Sequence, residues 1–144
     1  STMWTERVGF VAALATIKKF RNERVYHHLY KIGSMIEDVW LASAKKYSIN
    51  LKIGSFKPLM TFTLNYGDMN NSLLTLFTQE MLRRGFIASS SVYVTLSHNK
   101  NIIKKYKKAI DEVFSIMSEA IINNSVEGLL LTNTRSDMFK RLTK

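Results

Sequence analysis

Cysteine is absent from this chain of 144 residues. That excludes disulfides, thiol nucleophiles and thiolate metal sites together. The six glycines are scattered, so no glycine-rich turn is available to cradle a phosphate against a helix. No apolar run approaches the roughly 20 residues of a membrane-spanning helix. The chain does not open on the basic-then-apolar pattern of a secretion signal, so a cytoplasmic location is expected. It begins STMWTERVG without an initiator methionine, as a piece of a longer protein would. No internal repeat or low-complexity segment is present.

Acidic residues are also few: 11 Asp and Glu stand against 21 Lys and Arg, a net charge of +10. Such an excess is the general signature of a nucleic-acid or acidic-membrane partner. Here most of the cations are spread along the chain. They cluster only at Lys104, Lys105, Lys107 and Lys108, with Asp111 and Glu112 just beyond. No aromatic residues alternate with these lysines as base-stacking platforms would. Neither nucleic acid nor membrane is expected as a partner.

What is present suits one folded domain. Hydrophobic residues make up 46% and charged residues 22%, ordinary proportions for a chain long enough to bury a core. Val8, Val11, Ala12, Ala15 and Phe20, widened by Leu14 and Ile17, predict a first helix over 8–20. Asn22 is the expected N-cap of a second. Val25, Leu29, Ile32, Ile36, Trp40 and Tyr47 recur at helical spacing and carry that helix to about Tyr47. Leu51–Ile53 reads as a short strand. Met60, Phe62, Leu64 and Tyr66 alternate with Thr61, Thr63 and Asn65, a half-buried strand. A third helix carries Leu73, Leu74, Phe77, Met81 and Leu82, with Gly85 at its C-cap. Two more strands are expected, Phe86–Ala88 and Val92–Leu96, around a Ser89–Ser91 turn. Asn99 caps a last helix bearing Ile102, Tyr106, Ile110, Val113 and Met117, which ends at Asn123-Asn124. Residues 125–144 are weakly patterned and read as a C-terminal extension. The fold class is α+β: a short, mainly antiparallel sheet with helices packed on one face.

Few residues carry chemistry of their own. His27 and His28 are neighbours and point to different helix faces, so they cannot share a metal and read as surface residues. Glu37-Asp38 and Asp111-Glu112 fail as paired carboxylates for the same reason.

Three segments, taken in order, carry a resemblance. They are Ser1-Thr2-Met3-Trp4 leading into VAALATIKKF, then IGSFKPLMTFTL, then FTQEMLRRGFIASSSVYVTLSHNKNIIKKYKKAIDEVF. Together they resemble the C-terminal small domain of class III, fold-type I pyridoxal-phosphate aminotransferases, in the subgroup similar to glutamate-1-semialdehyde aminomutase. The resemblance implies that residues 1–124 form that small domain. The large domain, with the Schiff-base lysine, the pyridine-nitrogen aspartate and the phosphate loop, would lie outside this chain. It implies pyridoxal 5'-phosphate as cofactor of the intact enzyme, a homodimer and a small amino or keto substrate. Thr2 would then donate to the cofactor phosphate across the dimer. Trp4, Ser90 and Tyr93 would stand at the substrate entrance. His98 matches a Ser-x-His element and reads as structural, bonding near the start of the last helix. No catalytic residue and no metal ligand is expected in these residues. Thr5-Glu6-Arg7 replaces the family's Gly-Asn-Pro, and the loop IASSSVYV is short and lacks an acid. Both departures fall on the substrate side and speak for a transaminase over the semialdehyde mutase. Two other readings of the chain are a free-standing basic interaction module and a non-catalytic scaffold member of the family.

Overall fold

The computed structural model describes residues 6–136. Helix α1 spans Arg7–Asn22 and helix α2 spans Val25–Lys46. Strands β1 (Leu51–Ile53) and β2 (Leu59–Leu64) follow, then helix α3 (Asn70–Arg83), strand β3 (Ser91–Tyr93) and helix α4 (Lys100–Ile122). The three strands form an antiparallel sheet in the order β1-β2-β3. This is the expected α+β class.

The central strand shows why. Met60, Phe62 and Leu64 are buried, while Thr63 between them is exposed. The period-two alternation therefore puts one face of β2 against the helices. Phe62 stands at the middle of an aromatic relay. Its ring lies 5.0 Å from Trp40 of α2 and 5.3 Å from Phe77 of α3, and Phe77 is 6.3 Å from Phe114 of α4. The first two contacts are edge-on, the arrangement the ring quadrupoles favour. Four elements thus meet in one core. The indole N–H of Trp40 donates to the Tyr106 hydroxyl at 2.9 Å, so this fully buried ring leaves no orphan donor.

Helix ends follow local chemistry. The Asn99 side chain accepts from the N–H groups of Asn101 and Ile102, at 3.0 and 3.1 Å, the expected N-cap of α4. Gly85 has φ +81° and its N–H reaches the Leu82 carbonyl, ending α3 as expected.

Three expectations are corrected. Asn22 is not an N-cap but the last residue of α1; the break falls at Glu23-Arg24, where Arg24 has φ 47° and precedes α2. Phe86–Ala88 forms no strand. The Phe86 N–H is consumed by the Met81 carbonyl in the helix terminus, Ile87 is fully exposed, and β3 already occupies that edge of β2. The later strand is confined to Ser91–Tyr93, because the chain turns at Leu96-Ser97 toward the Asn99 cap.

The described part of the extension, residues 125–136, lies along α3. Val126 is buried. Gln79 donates to the Leu129 carbonyl at 3.0 Å and accepts from the Leu131 N–H at 2.8 Å. The Arg135 N–H donates to Thr75 at 3.0 Å.

Helix α1 is different. Every one of its residues is exposed, including Phe10, Leu14, Ile17 and Phe20. From Val8 to Ile17 its only polar side chain is Thr16, whose hydroxyl bonds back to the Ala12 carbonyl. A helix apolar on all sides is normally covered on all sides.

Candidate functional site

Segment 86–98 carries the described site residues. It leaves α3 after Gly85, runs along the sheet edge as β3 and turns into α4. The Phe62 N–H donates to the Ser90 carbonyl and the Val94 N–H to the Pro58 carbonyl, at 2.9 and 3.0 Å. These bonds fix the segment against β2 from both ends. A cavity of about 280 Å³ opens beside it, lined by Phe86, Ser91, Tyr93, His98 and Tyr106, among others.

Hydrogen bonding sets the imidazole of His98. Its Nδ1 accepts from the Thr95 N–H at 2.9 Å, so in the neutral ring the proton sits on Nε2. The His98 carbonyl lies 2.9 Å from His28 Nε2. A carbonyl only accepts, so His28 donates from Nε2. His28 is thus half-buried and ties α2 to the residue before the α4 cap, rather than standing free at the surface. His98 has the structural place expected of it.

The residues expected at the substrate entrance separate. Tyr93 is 72% exposed at the cavity mouth. Ser90 is half-buried and holds the sheet through its carbonyl; it is Ser91 that lines the cavity. Strand alternation does not give this, since Val92 between Ser91 and Tyr93 lines the cavity as well. Thr2 and Trp4 lie outside the described residues.

The cavity can hold a small, mainly apolar group and offer it a phenol and an imidazole. It contains no base beside a nucleophile. The Ser91 hydroxyl is taken up with Ser89 Oγ at 3.2 Å.

A second, open groove of about 560 Å³ lies on the far side of Phe86 and Ile102, between α4 and the end of α3. Arg84, Lys105, Lys108 and Glu112 stand on its rim. A Schiff-base amine must be desolvated or pressed against another cation. Lys108 is instead 83% exposed and faces Glu112 at 4.0 Å. Arg84 is committed to Glu80 and to Glu112. Although burial opposes it, bonding to both acids raises the Arg84 pKa above its ordinary value. Neither of these two cavities fits pyridoxal phosphate, because neither joins a sheltered lysine to a phosphate cradle. Among the described residues, no cluster of three or more His, Cys, Asp or Glu could hold a metal. No described helix is long and apolar enough to cross a membrane.

No family model matches the chain. Glutamate-1-semialdehyde 2,1-aminomutase of Clostridium beijerinckii is 25% identical to it over 126 aligned positions, which cover 77% of this chain and 29% of that one. The FumI protein of Sphingopyxis sp. MTA144, solved in its pyridoxal-phosphate internal aldimine form, has the same fold over 85% of this chain and 30% of its own, with a TM-score of 0.74 at 15% identity. The chain therefore spans about three-tenths of the length of either protein. In sequence it is similar to the aminomutase, and in fold to part of a pyridoxal-phosphate enzyme.

Proposed function

We propose that this chain is the C-terminal small domain of a pyridoxal-phosphate-dependent aminotransferase or aminomutase, and that amino-group transfer belongs to the intact enzyme. The observation that carries this reading is the coincidence of two independent likenesses over most of the chain: the sequence match to the aminomutase and the fold match to FumI. The cofactor, held upstream, supplies the electron sink; this chain supplies orientation and shelter. Thr2 donates to the cofactor phosphate of the neighbouring subunit of a homodimer. Trp4, Ser90 and Tyr93 border the substrate entrance, with Ser90 acting through the backbone bond that holds the strand. A large cofactor-binding domain covers the apolar helix α1. The small-molecule substrate carries an amino or keto group.

The test is the coding frame upstream of Ser1 together with a titration. A frame that encodes a large α/β domain with a lysine, an aspartate and a phosphate loop in the family's places supports the reading. The 144-residue chain alone then shows no aldimine absorbance when pyridoxal phosphate is added, and the longer protein does. A frame that opens immediately before Ser1, or lacks the lysine, overturns it.

A further inference from the structure

Helix α4 carries five lysines in its first nine residues: Lys100, Lys104, Lys105, Lys107 and Lys108. All are exposed. At 100° per residue they cover a continuous arc of roughly 160°. The buried arc opposite is Ile103, Tyr106, Ile110 and Val113.

The first of these lysines, Lys100, runs against the helix's own electrostatics. The N-terminal end is the positive pole, where acidic residues stabilise and lysines do not. No acid stands in the first turn of α4. The two acids that follow the lysines are held by other elements. Asp111 accepts from Lys46 of α2 at 2.8 Å and from the Tyr47 hydroxyl at 3.0 Å. Glu112 accepts from Arg84, beyond the end of α3, at 2.8 Å. Only Lys108 comes within 4.0 Å of a carboxylate among the described residues, and that is the Glu112 that Arg84 already holds. Lys107 acts on Asp111 only at a distance, and Lys46 already holds that acid, so the arc keeps a large excess of positive charge.

One edge of the arc is apolar. The groove beside Lys105 and Lys108 has Phe86, Ile102 and Ala109 along its walls. A phosphate backbone would neutralise the lysines and leave this groove unfilled. Bases would find no stacking platform within the run, since Tyr106, its one aromatic residue, is buried against Trp40.

We propose that α4 is a docking face for an acidic protein segment. The segment's carboxylates pair with the lysine arc, and one of its large apolar side chains seats in the groove between Phe86, Ile102 and Ala109. This groove backs onto the cavity at Tyr93 through the shared Phe86 and Ile102 side chains but opens on the lysine side, and the proposal does not depend on the aminotransferase reading.

The test uses the 144-residue chain and labelled synthetic peptides read by fluorescence anisotropy. One peptide is glutamate-rich with a central leucine; a second has glutamate at that position; a single-stranded oligodeoxynucleotide of similar charge is the third probe. The expected result is binding of the leucine peptide that weakens as salt rises. The all-glutamate peptide should bind several-fold more weakly. Lys105→Glu with Lys108→Glu should weaken the leucine peptide by about tenfold or more. Ile102→Ser should remove the leucine preference and keep the salt dependence. Ile102 lies at the rim and the lysines are exposed, so unchanged circular dichroism and melting certify the variants; Lys105→Gln with Lys108→Gln is the milder alternative if the reversal perturbs the fold. The proposal is overturned by no binding at low salt, by equal binding of the two peptides, or by tighter binding of the oligonucleotide.

Discussion

Gly33 sits in the middle of α2, where replacement by alanine should favour the helix by about 1 kcal/mol on backbone propensity. The packing points the other way. A Cβ at Gly33 would lie 2.7 Å from the carbonyl carbon and 2.9 Å from the Cα of Lys57, and closer still to the Lys57 carbonyl oxygen. Ordinary contact begins at 3.4 Å, so the loop between β1 and β2 would have to retreat. That loop is not free to do so. Lys57 pairs with Glu37 of α2, Pro58 follows it, and the Pro58 carbonyl accepts from Val94. The clash is backbone on backbone, which no rotamer relieves. Overpacking of this kind costs about 1–3 kcal/mol, and a backbone-on-backbone clash belongs at the upper end; set against the propensity gain of about 1 kcal/mol, Gly33→Ala should destabilise the domain by about 2 kcal/mol net. In a thermal melt that is a loss of about 8 °C at roughly 4 °C per kcal/mol for this size. Urea titration should show a lower midpoint at an unchanged slope. Because the displaced loop holds segment 86–98 through Val94, amide exchange at Val94 should also quicken. An alanine variant as stable as the parent, or more so, would refute the packing argument and leave propensity in charge.

Tyr106→Phe should cost about 1–3 kcal/mol, because it leaves the buried Trp40 N–H without an acceptor; urea denaturation measures it. Glu80 is buried among Gln79, Arg83 and Arg84. Although burial opposes it, hydrogen bonds from Gln79 and Arg84 hold its carboxyl below the ordinary value of 4.5, and the Lys46 bond does the same for Asp111 below 3.8. A depressed folded-state pKa gives stability that is present above the unfolded value and is lost as pH falls through the folded one. The melting temperature should therefore drop as pH falls below about 4.5, and Glu80→Gln should flatten that acid limb while lowering stability at neutral pH. Phe10→Ser with Leu14→Ser should leave the melting temperature of the 144-residue chain unchanged and reduce its self-association in light scattering, because both side chains are already exposed.

The residues read most clearly in the sequence are those with one dominant period. Ile32, Ile36 and Trp40 on α2 and Met60, Phe62 and Leu64 on β2 all reach the core. Tyr106, Ile110, Val113 and Met117 do the same on α4, but Ile102 lies at the groove rim and Ile103 takes the buried position. The misplacements occur where hydrogen bonding overrides composition. Phe86–Ala88 looks like a strand, but its first N–H is spent on the end of α3. Asn22 is a good cap residue, yet the break falls two residues later. The tie between His28 and His98 spans 70 residues and carries no periodic signal. At the candidate site the serine run gives the loop but not which serine lines the cavity; that follows from the register of β3 against β2.

The wiring of the core also bears on how the chain acquires its structure during synthesis. Trp40 reaches its acceptor 66 residues later, Lys46 its carboxylate 65 residues later, and His28 its carbonyl 70 residues later. All three ties close only when residues 98–111 arrive. Until α4 has left the ribosome, α2 and α3 lack the helix that packs against both of them. Contacts so distant in sequence make closure late and concerted, and the uncovered intermediate is the species most exposed to aggregation. A nascent chain stalled before Lys100 should therefore be recognised by chaperones as an unfolded client, whereas one released past Ile122 should not.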